Sequence, residues 1–122
     1  MPDKVVTFER LDVFQRAYKL ALEIHKASKT FPKDEQYSLA DQLRRASKSV
    51  CANIVEGCAK QFHSKSEFRR YIVIAIGSAD EARLWCRFSY DLGYIDADKW
   101  KKWRDEYTEI SKMLTGLYKH LK

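Results

Sequence analysis

Proline is nearly missing from this 122-residue chain, with one at position 2 and one at position 32, and glycine occurs only four times. So little punctuation over long periodic runs excludes a fold of many short elements and predicts few, long helices. No apolar run approaches the ~18 residues that a membrane span needs. The opening MPDKVVTFER lacks the apolar core of a secretory signal. The expectation is therefore a cytoplasmic protein with no membrane partner. The three cysteines, Cys51, Cys58 and Cys86, form an odd count without a close pair. That excludes a disulfide framework and predicts reduced, buried thiols. Cys51 and Cys58 would lie ~10 Å apart along a helix, too far to share one zinc unaided. His25, His63 and His120 are scattered, so neither metal nor cofactor is expected. A nucleophile–base pair, a glycine-rich phosphate loop and a paired-carboxylate motif are all lacking, which predicts a protein that is not an enzyme.

What is present suits one soluble domain: 45% hydrophobic and 33% charged residues, enough for a single compact core. The net charge is +6 and the isoelectric point about 9.2. Such a balance is compatible with RNA, DNA or another acidic partner, and equally with a solvated basic face.

The stretch Gln36–Lys60 organises the chain. Leu39, Leu43, Ala46, Val50, Ile54 and Gly57 recur at steps of three and four and stack on one helical stripe. Cys51, Val55 and Cys58 widen it. A second stripe of Gln42, Arg45, Ser49, Asn53 and Glu56 reads as a structural polar rail, facing either the bundle interior or a neighbouring chain. Arg69, Arg70 and Arg83 are candidate partners for Glu56. Gly57 either admits a close neighbour or starts the unwinding.

The spacing predicts helices over residues 12–30, 37–60, 64–92 and 96–121, behind an N-terminal arm, 1–10; the bundle domain is 11–122. Asp12 with Gln15 reads as a capping box for the first helix, and Phe31-Pro32 ends it. Ser38 with Asp41, or Asp34, can cap the second. Ser64 with Glu67 is a clear capping box for the third, and Gly93 suits its left-handed end. The small middle of that helix, Ala75–Ala79, would let another helix approach. Asp96 or Asp98 starts the fourth. Four amphipathic helices with short connections fold most simply as an all-α, antiparallel up-down-up-down bundle.

The series Gln42-Leu43-Arg44-Arg45-Ala46, Ser49, Ala52-Asn53-Ile54 and Glu56-Gly57 resembles the signature of the 23S rRNA intervening-sequence proteins. Leu11-Asp12-Val13-Phe14-Gln15, Phe31-Pro32-Lys33, Ser66-Glu67-Phe68, Ala75-x-Gly77-Ser78 and Asp91-Leu92-Gly93-Tyr94-Ile95 continue the resemblance over roughly Phe8 to Ile95. Cys51 departs from it, since the family commonly carries a proline there that would kink the helix. The resemblance implies a four-helix bundle assembled as a homopentameric ring. It also implies kinship in fold with the accessory proteins of diversity-generating retroelements, which bind nucleic acid and a reverse transcriptase.

The candidate nucleic-acid-binding residues are Lys60, Lys65, Arg69 and Arg70 around the second connection, and Lys99, Lys101, Lys102 and Arg104 at the start of the fourth helix. Arg44, Arg45 and Lys48 form a third group. The first two sets belong to opposite ends of the bundle and do not merge within one chain; ring symmetry would turn either into a charged collar. The leading expectation is a non-enzymatic homo-oligomer binding RNA or DNA. The alternative is a protein-interaction scaffold whose positive charge is incidental.

Overall fold

The computed structural model describes residues 7–121, so the arm's first six residues and Lys122 lie outside the described residues. Four helices follow one another: α1 Asp12–Ser28, α2 Leu39–Lys60, α3 Lys65–Asp91 and α4 Ala97–His120. Single-turn 3-10 segments at Phe8–Arg10 and Lys33–Glu35 precede α1 and α2. Each helix lies beside its two neighbours in the order α1-α2-α3-α4-α1, and the backbones of the diagonal pairs stay apart. That is the antiparallel four-helix bundle that the periodicity predicts.

Some helix ends follow their caps and others do not. The Ser64 hydroxyl accepts from the Glu67 amide at 3.2 Å, and Asp96, not Asp98, accepts from the Lys99 amide at 2.8 Å. Gly93 takes φ +83°, the left-handed turn that closes α3. The expected Asp12–Gln15 box does not form. Leu11 stands at the cap position without a side-chain bond, and the Gln15 amide turns back to the Glu9 carbonyl at 2.9 Å. Asp12 instead lies in the first turn, where its charge suits the helix dipole. Ser38 precedes α2, yet its hydroxyl donates to Glu35 and not to the helix.

α1 ends two residues earlier than the spacing suggests, because Gln36 and Arg44 close it. The Gln36 amide donates to the Ser28 and Phe31 carbonyls, each at 3.0 Å. Arg44 donates to the Ser28 hydroxyl at 3.0 Å and to the Gln36 carbonyl at 2.8 Å. This clasp satisfies carbonyls that a helix end leaves unpaired, and it gives Arg44 a structural task.

The core runs the length of the bundle. Leu43, Val50 and Ile54 of α2 meet Phe68, Ile72, Ala75, Ala79 and Ala82 of α3, while Trp103, Tyr107, Ile110 and Leu114 fill it from α4. The buried alanines of α3 let α2 approach closely. A Cβ added to Gly57 would stand 3.1 Å from a Phe68 ring carbon and 3.3 Å from the Phe68 carbonyl oxygen. Gly57 thus admits a close neighbour inside a continuous helix. Gly77, by contrast, faces outward with open space around it.

Candidate nucleic-acid interface

Successive residues on a helix point about 100° apart, so a run of cations in sequence is dispersed in space. Around the second connection Lys65 and Arg70 are exposed and Lys60 is half-buried. Arg70 pairs with Glu67 one turn away at 2.8 Å, and this bond holds the guanidinium charged. Arg69 points the other way, towards α4. Its guanidinium lies 4.4 Å from the Tyr118 ring centroid and donates to the Tyr118 hydroxyl at 2.8 Å.

The set at the start of α4 divides similarly. Lys101 is exposed. Lys99 lies 5.7 Å from the Trp103 ring centroid. Lys102 reaches α1 and bonds to Glu23 at 2.8 Å. Glu23 also accepts from the Trp103 indole at 2.6 Å. Burial would raise the Glu23 carboxyl, but the two bonds and the nearby lysines outweigh it and leave the pKa below its ordinary value. Arg104 lies on the α3 side, beside Arg83 and Arg87, with its guanidinium 5.7 Å from the ring centroid of Trp100 one turn earlier on α4.

The two sets remain at opposite ends of the bundle, yet cations that belong to neither set lie along the α3/α4 joint. Across the joint between these helices Arg83 and Arg87 of α3 lie beside Trp100 and Arg104 of α4, and further along the same joint Lys112 and Lys119 of α4 lie beside Ile76 and Asp80. Two open hollows of about 550 and 320 Å³ follow this joint, one on either side of Asp80 and Arg83, whose bonds with Ser111 and Thr108 cross it; together they are the α3/α4 groove. Arg83 donates to the Thr108 hydroxyl at 3.3 Å and to Asp80 at 3.4 Å. Thr108, Ser111 and Thr115 supply a row of hydroxyls beside it. The signal in the sequence is their spacing of three and four, the same as that of Arg83 and Arg87; it becomes a groove only once α3 and α4 are paired.

The polar rail is not uniform. Ser49 meets Ser78 of α3 at 2.8 Å between hydroxyl oxygens, and the Asn53 amide donates to the Ser49 carbonyl at 2.8 Å and its hydroxyl at 3.0 Å. These two residues serve the α2–α3 seam. Gln42, Arg45 and Glu56 are exposed, and Arg45 pairs with Asp41 at 2.9 Å. Arg69, Arg70 and Arg83 bond to Tyr118, Glu67 and Thr108.

A second groove, between α1 and α2, is apolar. Tyr18, Ala21, Leu22, His25, Lys48 and Cys51 line it. The outer face of α3 is apolar as well: Val73, Ile74, Leu84 and Phe88 are exposed there, around Gly77. The cysteines are reduced, and burial pushes the Cys51 and Cys58 thiols up to about 11 and Cys86 to about 12. None is a thiolate at neutral pH, so none is poised as a nucleophile. Among the described residues, no cluster of three or more His, Cys, Asp or Glu has metal-site geometry. No helix among them is long and apolar enough to cross a membrane.

Comparison with known proteins places this geometry in a family. The sequence profile described as "23S rRNA-intervening sequence protein" matches residues 9–116. A crystal structure from Bacteroides thetaiotaomicron, described as a protein of unknown function from the S23 ribosomal protein family, superposes with a TM-score of 0.78 at 25% identity. The match covers 88% of this chain and 95% of that one. No curated protein sequence matches.

Proposed function

We propose, because this chain belongs to the 23S rRNA-intervening sequence protein family, that it is a non-enzymatic, cytoplasmic homo-oligomer that binds RNA or DNA through its basic surfaces. The observation that carries the reading is the α3/α4 groove, whose cations bridge the basic sets at the two ends of the bundle. Counterion release from phosphates would then supply most of the affinity, with little base specificity.

Two unlike apolar surfaces support the assembly. One is the α1/α2 groove with Tyr18 and Leu22; the other is the outer face of α3 with Ile74 and Phe88, outside the lining of the α3/α4 groove. Tyr18 and Leu22 lie on α1 and Phe88 on α3, diagonally opposed helices, so copies joined through these unlike surfaces associate head to tail, which closes into a ring when the rotation permits. The pentameric number comes from the family resemblance. The open surface at Gly77 gives an approaching helix room at the centre of the α3 face.

The test is fluorescence anisotropy with a structured RNA and a DNA duplex of equal length, at low and near-physiological salt, with particle mass recorded on the same sample. Submicromolar binding that weakens steeply with salt, by a particle heavier than the 14.4 kDa chain, is the expected result. An intact oligomer that binds neither probe would overturn nucleic-acid binding and leave the ring as a protein-interaction scaffold.

A further inference from the structure

We infer that the α3/α4 groove seats a single nucleic-acid strand and holds it by its phosphates, not by its bases. This rests on the nucleic-acid reading above and specifies its site and ligand.

Charge is the first argument. Arg83 and Arg87 line the groove from α3, and Arg104, Lys112 and Lys119 line it from α4. Its acids are fewer and engaged. Asp80 receives Arg83 and the Ser111 hydroxyl, each at 3.4 Å, while Asp91 and Asp105 pair with Arg87 and Arg104 at 3.0 Å. A guanidinium has five N–H donors, so the long bonds from Arg83 to Thr108 and Asp80 leave it donors for a phosphate oxygen. Arg87 bonds to Asp91 through Nε alone, which leaves the donors of its terminal nitrogens outside that pair.

Shape is the second. Packed helices lie ~8–10 Å apart, so the groove between two of them accommodates one extended backbone and is too narrow for a duplex. Its wall is kept low by the short side chains of Thr108, Ser111 and Thr115 and by Gly116, beside which there is open space. Short side chains let a phosphate chain lie close to the helix; the Thr108 and Ser111 hydroxyls already donate to the Arg104 carbonyl and to Asp80, so the donors left for a phosphate are the cations. From Trp100 to Lys119 along α4 the lined track extends ~28 Å at ~1.5 Å per residue, long enough for several phosphates of an extended strand.

The aromatic rings supply the third argument. Single-strand binders that grip bases offer open ring faces for stacking. Here those faces are occupied. Trp100 lies parallel to Tyr90, with centroids 6.2 Å apart, and Arg87 and Arg104 lie 5.5 and 5.7 Å from its centroid. Tyr118 is covered by Arg69. The rings orient the arginines, and the arginines meet the strand.

The experiment titrates the full chain against labelled oligo(dT), oligo(U), a mixed-sequence strand and a duplex, each of about a dozen nucleotides or pairs, across a range of salt. The strands should bind alike and more tightly than the duplex. Lys112→Glu/Lys119→Glu, both exposed positions, should weaken strand binding about ten-fold or more and flatten the slope of log affinity against log salt by ~1.4, at ~0.7 per lost single-strand contact. Lys65→Glu/Arg70→Glu, away from the groove, should weaken it less. Particle mass and melting are measured alongside. If the reversal disturbs assembly, the neutral Lys112→Gln/Lys119→Gln serves instead, with the same expected flattening. Wild-type strand affinity in the groove variant, with loss in the Lys65/Arg70 variant, overturns the groove and leaves nucleic-acid binding standing. Preference for the duplex overturns the single strand, and preference for one base overturns phosphate recognition. Failure of the wild type to bind any probe overturns both readings.

Discussion

The α1/α2 groove and the α3/α4 groove lie on opposite sides of one bundle and are built from the same kind of helix pair, yet they suit unlike partners. Tyr18, Ala21, Leu22 and Cys51 make the first a place for apolar side chains, with Lys48 at its edge. Arg83, Lys112 and Lys119 with Thr108, Ser111 and Thr115 make the second a place for an anion. Helix pairing creates a furrow in either case; the residues one step outside the core stripe settle what the furrow accepts. A single substitution in that flanking row can therefore change a partner while leaving the fold intact.

Charging the apolar surfaces should have the largest effect. Leu22→Glu or Phe88→Glu, at positions 45% and 46% exposed, should reduce the particle to the 14.4 kDa monomer with helicity and melting of the monomer retained. Mass photometry or analytical ultracentrifugation reads this directly, and an oligomer of unchanged mass would contradict it. Oligo(dT) binding per chain should persist, though without the contribution of neighbouring copies.

Next in size is a change to the α2/α3 seam that lies between the two grooves. Gly57→Ala puts a methyl group against Phe68 and Tyr71, close to a backbone oxygen that cannot move aside. The expected loss is ~1–3 kcal/mol in chemical denaturation. A stability equal to wild type would mean that α2 and α3 separate freely at this level.

The α1/α4 seam should respond to acid. A hydrogen bond from Arg16, at 2.7 Å, holds the Glu106 carboxyl below its ordinary 4.5, and Glu23 is also lowered. Carboxyls depressed in the folded state contribute stability that is present above 4.5 and lost as pH falls through the lower native values. Melting temperature should decline through that window, and Glu106→Gln should flatten the decline while lowering stability at neutral pH by less than ~1 kcal/mol.

The smallest effect is expected in the α1/α2 groove. Desolvation, reinforced by Lys48, Lys29 and Arg44, lowers the His25 pKa from 6.5, and its Nδ1 is buried without a hydrogen-bond partner. For a lowered histidine the unfolded chain takes up the proton first. Stability is therefore full above 6.5 and falls below it, until the native value is reached. His25→Asn should remove this slope from a plot of melting temperature against pH. The α3/α4 groove has no histidine among its lining residues, so strand binding should show no matching step there.

Much of this architecture was legible in the residues. Ser64 and Asp96 cap α3 and α4, and Gly93 closes α3, because a cap is a contact within one turn. The core stripes of α2 and α4 followed from their spacing. The cap expected at Asp12–Gln15 did not follow, because Glu9, in the turn before the helix, competes for Gln15. Arg44, grouped in sequence with the surface cations Arg45 and Lys48, is bound into the α1–α2 clasp by Ser28 and Gln36. Its partners are distant along the chain, and no local pattern announces them.

The basic site was legible only in part, for a geometric reason. Lys99, Lys101, Lys102 and Arg104 look like one cluster when read along the chain, but Lys102 turns to Glu23 on α1 while Arg104 turns to the α3 side. Arg83, Arg87, Lys112 and Lys119 look unrelated in the chain and line one groove. Periodicity says which residues share a face of one helix, so helix count, the ends of α3 and the start of α4, and the buried stripe were contained in the amino acids. Which face of one helix looks onto which face of the next depends on how each is rotated about its axis when the core closes. Packing of Trp103, Tyr107, Ile110 and Leu114 against the alanines of α3 sets that rotation, and so it was packing that separated one run of cations and assembled another.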